Sequence, residues 1–327
     1  MKKFLACVLV LVAVLAPISA FADGYDNITL NIASAYDSSS VVVKAAEKFK
    51  EIVEEESDGA VKCNIIPGGS LGSSEDICEA VTVGAVEMSA MDFQVIYMYA
   101  PKYYFTDAPY VLKNYQHLLN VWNSHLGEEM RELCAAQDTI LFKPFYRGNR
   151  IFTSNVPINT VEDLSGLKLR LPVIDYWITI FSNLGAQPVS IPLNDLYMSL
   201  ETNAAEASEG PADQIRSYAL YEVQKYLSLT NHCPVTALLT MNKSVYDNLN
   251  EQTRALVDKA AVESSDWATE WMVENENSII QELADHGMEV VEPDRETFSS
   301  AIATTMDDLF VNYFDVTTYD EVSSLAP

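Results

Sequence analysis

Two short stretches of this chain, GNR at residues 148–150 and DLSGLKLR at residues 163–170, each end on an arginine, Arg150 and Arg170. Both arginines adjoin short β-prone runs, and a strand would deliver such a side chain into a cleft. A guanidinium matches a carboxylate with two parallel, charge-assisted hydrogen bonds. We therefore expect the two arginines to capture an organic anion. The alternative is that both are solvated or ion-paired surface residues, as most arginines are.

The first 22 residues have the pattern of a cleavable signal peptide. Lys2 and Lys3 precede an apolar run at residues 4–16, which is too short to span a bilayer comfortably. The sequence AFA at residues 20–22 is a small-x-small cleavage site, which makes Asp23 the expected mature N-terminus. We expect the mature protein to be exported and soluble.

The expected mature chain is strongly acidic. Loss of Lys2 and Lys3 leaves 18 of the 20 basic residues against 47 acidic ones, a net charge of −29. Such a charge argues against nucleic acid and anionic lipid surfaces as partners. It also opposes an anionic ligand, so two or three arginines in a cleft of low dielectric constant must overcome the field of distant carboxylates, which salt screens.

Four cysteines remain in the mature chain: Cys63, Cys78, Cys134 and Cys233. An even number permits disulfides in an exported protein; the candidate pair is Cys63 with Cys78, and free thiols are the alternative. No histidine stands at metal-ligand spacing from a cysteine, because His232 is directly adjacent to Cys233. The sequence predicts no metal site and no cofactor.

Hydrophobic periodicity predicts alternating strands and helices. Strands are predicted at residues 28–35, 60–66, 85–90, 139–145, 150–153, 167–171, 186–191 and 235–242. Helices are predicted at about residues 42–58, 74–83, 118–137, 176–184, 194–202 and 252–284. This order indicates parallel sheets flanked by helices, with a second α/β unit beginning near Gly148. The last helix is long enough to brace both units.

A hydrolase is the main alternative that the residues themselves suggest. Residues 68–72 match G-x-S-x-G around Ser70, after a predicted strand and before a predicted helix, as in a nucleophile elbow. His232 and His286 are available as bases. Against this interpretation, Pro67 stands where the strand should still be pairing, and a glycine-rich turn explains the pattern equally well. A lone histidine such as His232 is more often structural than catalytic.

A series of short motifs runs through nearly the whole mature chain. They are Phe49 with SDG at 57–59, PGGSLG at 67–72 with Glu75, AVxxG at 80–84, DAPY at 107–110, GxR at 148–150, DLxGLKLR at 163–170, PLxxLY at 192–197, EGP at 209–211 and YEVxKYLxxTxH at 221–232. Each motif is weak alone. In this order and spacing, they make the chain resemble the DctP-like family, the extracytoplasmic solute-binding proteins of TRAP transporters.

The resemblance implies an α/β fold of two lobes that close over a ligand, with parallel or mixed sheets, crossing strands and a long helix spanning both lobes. After the signal peptide at residues 1–22, lobe I is expected to comprise residues 23–148 and 234–275, and lobe II residues 149–233 and 276–327. The family implies a periplasmic scavenger that catalyses no reaction and delivers a small organic carboxylate to the TRAP membrane permease subunits. We expect it to be a monomer.

The resemblance also implies which residues form the pocket. Arg170 matches the arginine that forms a two-point salt bridge with the ligand carboxylate, Arg150 matches a second pocket arginine, and Asp92 lies where some members place an acidic residue. Other pocket-lining positions of the family correspond to Val173, Leu193, Gly210 and His232. The expected apolar walls are Phe93, Tyr146, Tyr36 and Trp177.

Two of these positions depart from the family pattern. Members that bind sugar acids often carry asparagine where this chain has Val173 and Gly210. A buried hydroxyl without a partner costs about 1–3 kcal/mol, and Gly210 opens space. We therefore predict an aromatic, indolic or other weakly polar carboxylate as the ligand. The alternatives are a sugar acid such as a uronate, a C4-dicarboxylate or keto acid, and finally a secreted serine hydrolase that uses Ser70.

Overall fold

A computed structural model describes residues 24–327 of the chain. The predicted signal peptide at residues 1–22 and the predicted mature terminus, Asp23, lie outside the described residues. The strands of the described part are β1 (Ile28–Ala33), β2 (Val61–Ile66), β3 (Met88–Asp92), β4 (Thr139–Leu141), β5 (Phe145–Ser154), β6 (Lys168–Leu171), β7 (Gln187–Ser190), β8 (Ala207–Pro211), β9 (Tyr226–Asn242) and β10 (Glu289–Val291).

Helices connect and cover these strands. They are α1 (Val41–Glu56), α2 (Ser74–Thr82), α3 (Gln94–Tyr99), α4 (Tyr115–Trp122), α5 (His125–Ala135), α6 (Asp175–Asn183), α7 (Leu196–Glu201), α8 (Ala212–Ser217), α9 (Lys243–Asn248), α10 (Glu251–Asp285), α11 (Arg295–Asn312) and α12 (Tyr319–Ser324). A 3₁₀ turn at Pro101–Asp107 follows α3.

The strands form one mixed sheet. Its main path runs β2-β1-β3-β9-β5-β8-β6-β7, and β4 and β10 pair with β9 off this path. Strand β1 is parallel to β2 and β3, and β6 is parallel to β7 and β8, whereas β9 is antiparallel to β3, β4 and β5. The predicted α/β class with parallel and mixed sheets is confirmed.

The two longest strands, β5 and β9, tie the ends of the sheet together. Strand β9 pairs with β10 through residues 226–228 and with β3 and β4 through residues 237–242. Strand β5 runs antiparallel to β9, with register shifts between Tyr146 and Asn149 and between Arg150 and Phe152. The sequence predicts strands at residues 139–145 and 150–153, separated near residue 148. In the structure the break lies earlier, at residues 142–144 between β4 and β5, and β5 continues through residue 148 because the chain passes these irregularities without turning, with Gly148 at a φ of +104°.

The sheet buries one hydrophobic cluster on each face. Ala237 and Leu239 of β9 belong to one cluster and Leu238 to the other, because successive side chains of a strand point to opposite faces. Phe49 of α1 covers the first face, and Phe298 of α11 covers the second. The core therefore extends along the whole sheet.

Helix α10 is 35 residues long and matches the long helix predicted at residues 252–284. Asn250 begins it by accepting a hydrogen bond from the Thr253 backbone N at 2.8 Å. The helix packs against α1, β5 and α8, which belong to segments predicted for both lobes. The residue boundaries of the lobes stay a prediction. Every helix within residues 24–327 is too short or too polar to span a bilayer.

One predicted helix, at residues 118–137, is two helices in the structure. Helix α4 ends at Trp122, and Ser124 begins α5 by accepting a hydrogen bond from the Leu126 backbone N at 3.2 Å. The two helices approach closely, since a Cβ on Gly127 would lie 2.0 Å from the Trp122 carbonyl oxygen. The prediction missed the break because apolar residues continue at helical spacing across it.

A buried carboxylate ties the N-terminus of α1 to α8. Asp213 accepts hydrogen bonds from Ser40 Oγ at 2.7 Å, from the Val41 backbone N at 3.2 Å and from Arg216 Nη2 at 3.0 Å. The first N–H groups of a helix lack partners within the helix and favour an anion. Both Asp213 and Ser40 are fully buried. This contact joins a segment predicted for lobe I to one predicted for lobe II.

We expect Asp213→Ala to lower the free energy of unfolding by about 2–4 kcal/mol, because it leaves a buried hydroxyl, a helix N–H and a guanidinium without their acceptor. Urea denaturation of the mature protein measures the change. The matched control is Glu282→Ala, which removes the exposed carboxylate 3.6 Å from the same Arg216 and should cost about 0.5 kcal/mol or less. Equal, small effects of both variants would contradict the role of Asp213.

Candidate functional site

A small pocket lies where β3, β5 and β6 bring charged side chains together. It encloses about 40 Å³, which is room for a few water molecules. Its polar wall consists of Tyr36, Ser74, Glu75, Asp92, Gln94, Tyr104, Asp107, Arg150, Arg170 and Gln214. Its apolar wall consists of Pro172, Val173, Ile174, Pro192 and Leu193. The pocket is therefore mostly polar, with one apolar side.

Arg170 is the basic residue of this pocket that lacks an acidic partner. It lies on β6, is 2% exposed, and uses Nε to donate a hydrogen bond to the Ile191 carbonyl oxygen at 2.9 Å. Within residues 24–327, no carboxylate pairs with it and its two terminal nitrogens have no hydrogen-bond partner. Burial lowers the pKa of Arg170 to about 10, against the opposing attraction of Glu209. A carboxylate placed on this guanidinium would stabilise its charged form.

Arg150, in contrast, is already paired. Its Nε and Nη2 both donate to the Glu209 carboxylate, with Nη2 2.7 Å from Oε1. The guanidinium also stacks 4.6 Å above the Trp177 ring. Burial alone would raise the pKa of Glu209, but Arg150 holds it down at about 2. The protein's own carboxylate thus occupies the fork of Arg150, which leaves this residue to shape the pocket wall.

His232 supports the Arg150–Glu209 pair from behind the wall. Its Nδ1 lies 2.9 Å from Thr230 Oγ1, and its Nε2 lies 3.5 Å from Glu209 Oε2. The ring stacks on Phe152 with centroids 5.1 Å apart. Burial lowers the pKa of His232, so the ring is neutral at neutral pH. It packs and orients the pair without facing the cavity.

Arg147 is a third buried arginine, and sequence reasoning overlooked it. Its guanidinium lies 4.3 Å above the Tyr36 ring, and the Tyr36 hydroxyl donates to Asp92 Oδ2 at 2.5 Å. Burial lowers the pKa of Arg147, but Tyr36, Asp213 and Asp92 more than offset this, and the pKa is raised. Its position beside Gly148, in the stretch that contains Arg150, was the available indication. Among the described residues no acid forms an ion pair with Arg147, and its Nε and Nη2 are buried without a hydrogen-bond partner; the Tyr36 ring and acids beyond ion-pair distance stabilise this third cation.

The space expected at Gly210 is filled by an amide. A Cβ on Gly210 would lie 2.6 Å from Gln214 Nε2, so the glycine makes room for that side chain. Gln94 supplies a second amide and donates from Nε2 to Glu75 Oε1 at 3.1 Å. The side chains of Gln94 and Gln214 therefore supply amide groups to the site, although positions 173 and 210 carry none. The wall can hydrogen-bond to hydroxyl groups.

Most of the residues predicted for the site come together. Six line the pocket: Arg170, Arg150, Asp92, Val173, Leu193 and Tyr36. Three stand behind its wall: Gly210 under Gln214, and Trp177 and His232 against the Arg150–Glu209 pair. Their roles in ligand binding stay predictions.

Phe93 and Tyr146 do not reach the pocket. Phe93 follows Asp92, so its side chain points away from that of Asp92, and it packs in the core near Trp122 with ring centroids 6.5 Å apart. Tyr146 precedes a register shift of β5, and its hydroxyl donates to Glu276 Oε2 on α10 at 2.8 Å. The prediction of both as apolar walls ignored the alternation of the strand and this shift.

Several wall residues were not anticipated from the sequence. They are Ser74, Glu75, Gln94, Tyr104, Asp107, Pro172, Ile174, Pro192 and Gln214. These residues come from helix starts and turns that are far apart in sequence, so only the fold brings them together. Some lie within or beside the motifs at residues 67–75, 107–110 and 192–197, which was the available indication.

The hydrolase alternative lacks a base in the structure. Ser70 is exposed, and its hydroxyl donates to the Pro67 carbonyl oxygen at 2.8 Å. His232 is bound to Thr230, and His286 stacks on Tyr221 with centroids 4.2 Å apart. Within the described part of the chain, neither histidine is hydrogen-bonded to Ser70. The G-x-S-x-G stretch forms the turn between β2 and α2.

The cysteines carry no cross-link in the structure. Cys63, Cys78, Cys134 and Cys233 are all buried free thiols, so the candidate Cys63–Cys78 disulfide is not formed. Across residues 24–327, no group of three or more histidine, cysteine, aspartate and glutamate side chains is arranged to hold a metal ion.

A family model and individual relatives place the chain among the same kind of proteins. The model of bacterial extracellular solute-binding protein family 7, DctP, matches residues 32–312. The sialic acid-binding periplasmic protein SiaP of Vibrio cholerae is 28% identical over 275 residues, which cover 84% of this chain and 86% of SiaP. The 2,3-diketo-L-gulonate-binding periplasmic protein YiaO of Escherichia coli is 28% identical over 82% of each chain.

Solved structures of similar proteins share the fold. A TRAP periplasmic solute-binding protein of Roseobacter denitrificans with bound L-galactonate is 26% identical, with a TM-score of 0.84 over 92% of this chain and 99% of that one. A protein of the same kind from Bordetella, with density assigned as pantoate, is also 26% identical, with a TM-score of 0.84 over 91% and 98% of the two chains. This chain therefore belongs to the DctP family of bacterial extracellular solute-binding proteins, the periplasmic binding proteins of TRAP transporters.

Proposed function

We propose that this protein captures a small hydroxylated monocarboxylic acid between its two lobes and delivers it to the membrane permease subunits of a TRAP transporter, without catalysing a reaction. The family and the signal-peptide pattern at residues 1–22 both favour the periplasm. The observation that carries the proposal is Arg170, a buried guanidinium whose terminal nitrogens line the pocket without an acidic partner.

The energetics of Arg170 favour a carboxylate. A desolvated charge without a partner is costly, and a ligand that pairs with it recovers part of that cost in a site of low dielectric constant. The planar fork suits two parallel hydrogen bonds to one carboxylate group. Arg150 cannot offer the same fork, since Glu209 holds its Nε and Nη2.

The charges of the wall favour a single carboxylate on the ligand. Arg150 is balanced by Glu209, and Arg147, behind Tyr36, does not line the pocket. Glu75, Asp92 and Asp107 are the acidic side chains of the wall. A second carboxylate would lie beside acids without a free cation, which is unfavourable. This argues against a C4-dicarboxylate.

The polar wall favours hydroxyl groups on the rest of the ligand. Gln94, Gln214 and Ser74 supply donors and acceptors. Relatives that share this fold were solved with L-galactonate and with density assigned as pantoate, both hydroxylated monocarboxylic acids. The aromatic or indolic acid predicted from the sequence loses one of its two arguments, because Gln214 occupies the space at Gly210. It stays the second candidate, supported by the apolar side at Val173 and Leu193.

Entry of such a ligand requires the walls to separate. A cavity of about 40 Å³ is too small for any of these acids. The walls come from segments predicted for both lobes, joined by β5, β9 and α10. Opening and closing about these connections would admit the ligand and then remove its carboxylate from water, which strengthens the pairing with Arg170.

We expect Arg170→Ala to weaken binding of the cognate acid by about 2–5 kcal/mol, because it leaves a buried carboxylate unpaired. Arg170→Lys should also weaken binding markedly, since an ammonium does not reproduce the planar fork. Isothermal titration calorimetry of the refolded, ligand-free mature protein measures both changes.

The matched control for these variants is Arg295→Ala, which removes an arginine that is outside the pocket and donates to the Leu229 carbonyl oxygen. It should bind as the wild type does. Near-unchanged affinity of Arg170→Ala would refute the assignment of Arg170. A structural role for Arg170 alone would instead lower the stability of ligand-free Arg170→Met, whereas an unpaired buried charge predicts that this variant is at least as stable as the wild type.

A thermal-shift panel tests the ligand class. We expect galactonate, galacturonate or pantoate to raise the melting temperature, since ligand at 100 times its dissociation constant adds about 2.7 kcal/mol. Galactitol, which keeps the hydroxyl groups and lacks the carboxylate, is the matched negative control. Indole-3-acetate and succinate represent the competing classes. Stabilisation by indole-3-acetate alone would restore the aromatic prediction, and stabilisation by succinate alone would contradict the single-carboxylate argument.

A further inference from the structure

Asp107 is a pocket acid without a cationic partner of the kind that Arg150 provides for Glu209. It ends the 3₁₀ turn, lines the cavity and is 6% exposed. The Tyr104 hydroxyl donates to its Oδ2 at 3.2 Å, and the Cys233 thiol lies 3.8 Å from its Oδ1. Among the described residues, no lysine, arginine or histidine forms an ion pair with it. The buried carboxyl group of Asp107 therefore accepts hydrogen bonds only from two weak neutral donors, the Tyr104 hydroxyl and the Cys233 thiol, among the described residues.

The ionisable groups around Asp107 come from its own turn and from five further elements. They are Arg150 of β5, Asp92 of β3, Glu209 of β8, Tyr104 of its own turn, Tyr176 of α6 and Cys233 of β9. Arg150 is the one cation of this set, and its fork is committed to Glu209. The two other carboxylates repel a negative charge on Asp107.

Two buried acids of the same site thus have opposite environments. Arg150 holds the pKa of Glu209 at about 2, whereas burial raises the pKa of Asp107 to about 7, against the opposing attraction of Arg150 and with the support of Asp92 and Glu209. Neighbouring carboxyl groups whose environments drive their pKa values apart take different roles, one as an anion and the other as an acid that donates a hydrogen bond.

We propose that Asp107 contacts the ligand as a neutral carboxylic acid, donating a hydrogen bond to a hydroxyl or carbonyl oxygen of the acid held by Arg170. This inference rests on the proposed function and adds a specificity-determining residue to it. A neutral donor at this position favours ligands that place an oxygen acceptor opposite it. It also avoids a third negative charge in a pocket that must accept an anion.

The sign of the pH dependence follows from linkage. The carboxyl group of Asp107 binds its proton more tightly in the folded protein than in the unfolded chain, where its pKa is about 4. Its contribution to stability is present at low pH and is lost as the pH rises from about 4 through 7. A ligand that needs the proton raises the pKa further, so binding takes up a proton above pH 7 and weakens with rising pH.

The first test needs no ligand. Urea denaturation of the ligand-free wild type and of Asp107→Asn is compared between pH 5 and pH 8. The folding constant of the wild type, divided by that of the variant, should fall by up to about tenfold per pH unit between pH 5 and 7, and then level off. A ratio that stays constant with pH would mean that Asp107 is an ordinary anion, and it would overturn the proposal.

The second test measures binding of galactonate, or of the acid that stabilises the protein most in the panel above, by calorimetry at pH 6, 7 and 8. The wild-type dissociation constant should rise by up to about tenfold between pH 7 and 8. Uptake of a proton should appear as a difference in the observed binding enthalpy between phosphate and Tris buffers. Asp107→Asn should lose this pH dependence. Asp315→Asn, the same substitution at an exposed carboxylate paired with Lys102, should keep it.

The outcomes separate this inference from the proposed function. Binding that is tight and independent of pH, without proton uptake, would overturn the role of Asp107 and leave the solute-binding function intact. Failure of every organic acid to bind would refute the proposed function, and the hydrogen bond from Asp107 with it. If Asp107→Asn does not fold, proton uptake by the wild type decides the question alone.

Discussion

A buried guanidinium without an acidic partner is the constraint on which the site depends. Arg170 reaches the pocket from β6, a short strand held between two parallel neighbours, and one of its nitrogens is fixed by the Ile191 carbonyl oxygen. The remaining nitrogens are directed by that anchoring, so the fork is oriented before a ligand arrives. Orientation in advance reduces the entropy that binding must remove. The lowered pKa of Arg170 records the cost of holding this charge away from water.

Of the two arginines that line the pocket, only Arg170 is without an acidic partner among the described residues. Glu209 takes the fork of Arg150, and Trp177 and His232 hold that pair in place. Arg147 lies over the Tyr36 ring and does not line the pocket, and Asp213 and Asp92 favour its charged form without pairing with it. These pairings explain how a protein with many more acids than bases keeps one cation free for an anionic ligand.

The fold, Arg150 and Arg170 could be predicted from the sequence, because each depends on local patterns. Alternating strands and helices, the long α10, and the motifs ending in Arg150 and Arg170 are visible along the chain. Arg147 and Asp107 were missed as site residues because their importance arises from neighbours distant in sequence. The interpretation of Gly210 as open space failed for the same reason: the Gln214 side chain, one turn into the next helix, fills it. Register shifts in β5 likewise leave no local pattern, so the sequence did not indicate that the Tyr146 hydroxyl reaches Glu276 of α10.

The most direct test of the central claim is a crystal structure of the protein with the organic acid that binds it most tightly. The account predicts a closed pocket in which the ligand carboxylate makes two hydrogen bonds to Arg170 while Arg150 keeps its pairing with Glu209. A carboxylate bound instead to Arg150 or Arg147, or a neutral part of the ligand against Arg170, would contradict it.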